Sequence, residues 1–80
     1  MLNSSQQKLF SLLIYYPNLQ HLAQLPPEIC EVLCELALAL RTGGFDAIQA
    51  SVKLKKLAEM THEEILYAFE VYRQKQIDKN

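Results

Sequence analysis

The chain of 80 residues has no tryptophan, two glycines, three prolines and two cysteines, and its formal net charge is only −1. Each scarcity removes a class of protein. The two glycines are adjacent, Gly43-Gly44, so no glycine-rich phosphate loop exists, and neither a serine elbow nor a paired-carboxylate motif replaces it. Two cysteines cannot build a disulfide scaffold, and nothing at the N-terminus reads as a signal peptide. No apolar run exceeds five residues, as at Leu36–Leu40, far short of a membrane span. A near-neutral chain sets up no general field that attracts nucleic acid or an anionic membrane. These absences predict a cytoplasmic protein with no direct nucleic-acid or membrane contact.

What is present favours helix. Half of the residues are hydrophobic, with fourteen leucines and seven alanines against three valines and five isoleucines. Leucine, alanine, glutamate and glutamine lose little rotamer freedom in a helix. The predicted fold is all-α, a small compact bundle of about five helices with a long C-terminal helix, in one domain spanning residues 1–80.

Ser4-Ser5-Gln6-Gln7 fits a capping box that opens the first helix. Leu9, Leu12, Leu13 and Tyr16 then share one side, widened by Phe10 and Ile14, while Tyr15 falls opposite beside Lys8 and Ser11. Pro17 disfavours helical geometry at Tyr16, so the helix is predicted to end there, and Asn18–Gln24 forms a short helical turn with Leu19 and Leu22 inward. Pro26-Pro27 starts a helix that is apolar almost all round from Glu28 to Arg41, as suits the centre of a bundle, and Thr42-Gly43-Gly44 ends it, with glycine free to take the left-handed cap conformation. Asp46 is a candidate cap for the next segment. There Ile48 and Val52 share one face while Leu54, Leu57 and Ala58 share another, which predicts two short helices meeting near Ser51. Thr61-His62-Glu63-Glu64 is a second capping box, opening a last helix to about Ile77. Its predicted inner face is Ile65, Leu66, Ala68, Phe69 and Tyr72, with Tyr67 and Val71 opposite among Glu63, Glu70 and Gln74.

Cys30 and Cys34 are four apart on one helix, and His21 and His62 are the remaining soft ligands. Both cysteines fall in the apolar arc of the central helix, where free cysteine acts as a small hydrophobe, so core packing is predicted and no metal or cofactor. The histidines flank helix boundaries without the nucleophile or orienting carboxylate that a general base needs. No catalytic residues are assigned. Tyr15, Tyr67 and Val71 are instead apolar or amphipathic groups on faces expected to be wet, and tyrosine is enriched at binding hot spots. Lys53, Lys55 and Lys56 form a cluster able to steer an acidic partner.

The run Lys8-Leu9-Phe10-Ser11-Leu12-Leu13 through Tyr16-Pro17-Asn18-Leu19, followed by Leu54-Lys55-Lys56-Leu57 and by Phe69-Glu70-Val71-Tyr72-Arg73-Gln74-Lys75-Gln76, resembles the helical bundle in the C-terminal domain of bacterial DNA primase. That resemblance implies a module that docks primase on the N-terminal collar of the hexameric replicative DNA helicase and modulates priming and unwinding. The zinc-binding domain, the polymerase core and the terminal helical hairpin of that family are missing from these residues. It follows from the resemblance that this is a domain excised from a longer protein, monomeric alone, a weak helicase binder and not itself an enzyme. The partner-binding candidates come from the helix-face argument: Tyr15, Tyr67 and Val71 as anchors, with Lys55, Lys56 and Arg73 at the rim. The rival reading is a free-standing small regulator that homodimerises through the Tyr67/Val71 stripe of its last helix. A thiol or metal enzyme would require an accessible Cys30 or Cys34.

Overall fold

The computed structural model describes residues 3–78, which form five helices and no strand. In chain order these are α1 (Ser4–Leu12), a 3₁₀ helix (Pro17–Gln24), α2 (Pro27–Thr42), α3 (Phe45–Ala58) and α4 (His62–Asp78). The all-α class follows from composition as expected. Several boundaries move, each for a local reason.

The first capping box sits one residue earlier than Ser4 and Gln7 place it. The Asn3 side chain accepts from the Gln6 amide at 2.9 Å, and the Gln6 side chain accepts from the Asn3 amide at 2.9 Å. Asparagine caps as well as serine. In this register the Gln6 side-chain amide also donates to the Leu25 carbonyl at 2.9 Å, which joins the start of α1 to a distant turn. Helix α1 ends at Leu12 rather than Tyr16. The Gln20 side chain donates to the Leu13 and Ile14 carbonyls at 3.2 Å each, so carbonyls freed at the helix end find a partner outside it.

Pro17–Gln24 winds as a 3₁₀ helix, in which residues three apart line up in one row. Leu19, Leu22 and Leu25 occupy that row, and all three are buried. Helix α2 is the centre of the bundle, burying Ile29, Cys30, Leu33, Cys34 and Ala37. Leu9, Leu13, Leu22, Leu25, Leu54 and Ile65 close the core around it.

Two adjacent glycines reverse the chain after α2. Gly43 (φ 81°, ψ −173°) and Gly44 (φ 86°, ψ −164°) combine positive φ with an extended ψ, so neither glycine forms the expected left-handed helical cap. That region is open essentially to glycine alone. A side chain added at either position would meet no atom within 4 Å, so the backbone by itself demands glycine. Asp46 does not cap α3. Gly44 holds that position, and Asp46 lies in the first turn, where its charge suits the helix dipole.

Helix α3 runs unbroken through Ser51, correcting the two-helix expectation. Its two apolar faces coexist on one straight helix. Ala50 and Leu54 are buried, whereas Phe45, Ile48 and Val52 are exposed. The Thr61 box forms as expected: the Glu64 amide donates to Thr61 Oγ1 at 3.1 Å, and the Thr61 amide to Glu64 Oε1 at 2.9 Å. Hydrogen bonding from Thr61, its backbone amide first and then its side chain, holds the Glu64 carboxyl below its ordinary range. Beyond that cap α4 is sparsely packed. Ile65 is buried and Phe69 partly so, but Leu66, Ala68 and Tyr72 of the expected inner face are exposed, because no further element lies over them. The accessible surface is 5733 Å². A compact chain of this size would expose about 4,900 Å².

Candidate functional site

The early end of α1 decides where Tyr15 points. It projects from the turn after the helix and is 75% exposed. The Arg41 guanidinium, from the last turn of α2, lies over its ring at 5.3 Å from the centroid, within cation–π range. Tyr15, Tyr16, Pro17, Asn18 and Leu19 form one wall of a surface cleft of about 510 Å³, and Lys55, Ala58 and Glu59 at the end of α3 form the other. Two of the six candidate residues, Tyr15 and Lys55, therefore share a site.

The other four do not join them. Arg73 reaches across to α2, where its guanidinium donates to Glu28 Oε2 at 2.6 Å and lies 4.0 Å from Glu70. Beside that pair runs a shallow apolar groove between α2 and α4. Val32 and Phe69 lie in the groove, Tyr72 and Glu35 line a hollow of about 450 Å³, and Lys56 stands with Lys53 at its α3 end. Tyr67 is 73% exposed on the outer face of α4 and lines neither the cleft nor the groove. Val71 is half-buried, so it presents less area than an anchor on a wet face requires.

The soft ligands are accounted for by packing. Cys30 is fully buried, and its Sγ lies 3.2 Å from the Leu25 carbonyl, the shortest of three such contacts with the end of the 3₁₀ helix. Burial, and then the neighbouring Cys34, push the Cys30 thiol up to about 11, so it stays protonated and unreactive near neutral pH. Burial likewise raises Cys34. The His21 and His62 rings stack with centroids 6.0 Å apart at 14°, linking the 3₁₀ helix to the start of α4. Among the described residues no group of three or more His, Cys, Asp or Glu side chains is placed to hold a metal ion, and no helix is long and apolar enough to cross a membrane.

Sequence reasoning put Ile48 and Val52 on one face but did not join Phe45 to them or mark the row as exposed. Its signal was the broken periodicity of that segment, which also fits a helix that is apolar on two opposite faces. In comparisons with protein-family models, with curated proteins and with solved structures, nothing matches this chain.

Proposed function

We propose that the chain is a protein–protein interaction module that docks on the N-terminal collar of the replicative DNA helicase and modulates priming and unwinding. One observation carries the reading. The segments on which the primase resemblance rests, Tyr16-Pro17-Asn18-Leu19 and Leu54-Lys55-Lys56-Leu57, are far apart in sequence yet contribute Tyr16–Leu19 and Lys55 to the two walls of the same cleft. A docking site needs a rigid anchor with large area, and Tyr15 supplies it, its ring covered on one side by Arg41. Lys55 and Glu59 place opposite charges on the same wall, where they set orientation more than they add affinity. The cleft is open and small, which fits a modest affinity.

Calorimetry of this domain with the helicase of its own source tests the proposal. Saturable binding is expected, and Tyr15→Ala should weaken it by more than about 1 kcal/mol, the threshold that separates anchors from bystanders. Tyr67→Ala, on the far side of α4, should leave it unchanged. The absence of binding at the highest soluble concentration, or equal affinity of the Tyr15→Ala variant, would remove the cleft from consideration. Sedimentation equilibrium of the free domain should report a monomer. A dimer dissolved by Tyr67→Ala would favour self-assembly through α4 instead.

A further inference from the structure

Helix α3 has one more apolar face than the fold uses. Phe45, Ile48 and Val52 are 75%, 63% and 48% exposed, and they stand at positions i, i+3 and i+7, which align on one stripe of a helix. The opposite face carries Ala50 and Leu54 into the core. The stripe therefore points straight out, between the Tyr15 cleft and the α2–α4 groove. Its spacing of three and then four is the seam of a helix pair.

The charges beside it select the occupant. Lys55 and Lys56 fall on either side of the stripe, each about 50° from its centre, and Lys53 lies further round on the Lys56 side. None of the three makes an ion pair among the described residues. From Phe45 to Lys56 the seam is about 16 Å long, three turns of a helix. Glu59, at the end of α3, continues its line, and Asp46 is about 130° away on the helix wheel. A second copy of this chain is a poor match. Parallel pairing sets lysine against lysine, and antiparallel pairing about Ile48 and Val52 brings Lys55 to Phe45, whose neighbour Asp46 is turned away from the seam.

We infer that the outer face of α3 binds an acidic amphipathic helix of a partner protein, whose apolar seam packs on Phe45, Ile48 and Val52 while flanking carboxylates meet Lys53, Lys55 and Lys56. This surface adjoins the Tyr15 cleft and shares Lys55 with it, but its apolar seam of Phe45, Ile48 and Val52 does not line the cleft, and the inference stands whether or not the partner of that cleft is a helicase.

The test uses two synthetic helical peptides of about three heptads with leucine at the a and d positions, one with glutamate at e and g and the other with lysine there. Each is titrated into the isotopically labelled full chain and followed by amide chemical shifts. The glutamate peptide should give saturable changes along Phe45–Lys56, and the lysine peptide should bind at least about tenfold more weakly. Ile48→Asp should abolish binding without altering the melting temperature, since Ile48 packs against nothing in the core. Tyr15→Ala should leave it intact, which separates this surface from the cleft. Equal binding of both peptides, shift changes confined to other helices, or no binding would overturn the proposal. So would Ile48-dependent self-association, which assigns the stripe to a second copy, or adhesion to anionic phosphatidylglycerol vesicles without peptide binding, which assigns it to a lipid surface.

Discussion

Helices α2 and α4 are nearly the same length, 16 and 17 residues, yet they stand in the fold on different grounds. Helix α2 buries Ile29, Cys30, Leu33, Cys34 and Ala37 and touches α1 on one side and α3 on another. Of the α4 side chains described, only Ile65 is buried, with Phe69 half-covered. Tertiary packing holds α2. Little more than its start holds α4: a capping box at Thr61, one buried isoleucine and an exposed ion pair from Arg73 to Glu28. A helix can thus be complete in its hydrogen bonds while contributing little to the core. Such a helix is the part of a domain that opens first.

The contrast breaks most visibly with a core truncation. Leu33→Ala should lower global stability by about 3–4 kcal/mol, measured by urea denaturation, because α2 is enclosed and cannot collapse around the void. If the loss matched that of an exposed α4 substitution such as Tyr67→Ala, the distinction between the helices would not hold.

Next in size is Cys30. Cys30→Ala removes a buried side chain and its contacts with the end of the 3₁₀ helix, and should cost about 1–2 kcal/mol. The thiol also sets a pH dependence. Its folded pKa lies above its unfolded value, so the proton is held more tightly in the native state. The corresponding stability is complete below the unfolded thiol's range and is lost as pH climbs through that range toward about 11. Thermal melts of the native protein should fall over this alkaline window, and the slope should shrink in Cys30→Ala. An unchanged slope would assign the loss to other groups. Native Cys30 should also resist thiol reagents until the chain unfolds.

The smallest effect sharpens the account of α4. Arg73→Ala removes an ion pair whose side chains are 55% and 77% exposed, so global stability should change by less than about 1 kcal/mol. Hydrogen exchange should nonetheless accelerate in the amides around Arg73, while α2 keeps its protection. Uniform protection along both helices would show that α4 is not a separate unit of opening. Acid should act at the other end of α4. The depressed Glu64 carboxyl stabilises the cap above its ordinary titration range, and that contribution disappears as pH falls through the folded value.

Much of this was legible in the residues themselves. The Thr61 box reads directly as Thr-x-x-Glu, because a cap needs only neighbours within one turn. The central place of α2 and the burial of both cysteines follow from a helix apolar nearly all round. The first capping box was read one residue late, since Asn3 and Ser4 are equally good caps and the Gln6 contact with Leu25 that accompanies the observed register joins residues far apart in sequence. The division of α3 was misread for a different reason. Periodicity counts apolar faces and cannot say which of them another element covers. The candidate site shows the same limit. Tyr15 and Lys55 meet across one cleft, while Tyr67, Val71 and Arg73 belong to α4, whose inner face proved more open than its pattern implied.

Composition, proline and glycine positions and local capping were enough to determine the class of the fold and, to within a residue or two, most of the helix starts. These depend on interactions within a few residues, and the chain carries them wherever it goes. The tertiary structure alone decided which apolar faces meet and which stay in water. It closed a cleft between Tyr15 and Lys55, sank Cys30 into the core and left Phe45, Ile48 and Val52 uncovered. The hydrophobic effect that drives this assembly has no direction of its own. Which surface is buried is settled by the shapes of all the helices together, and no single segment states it.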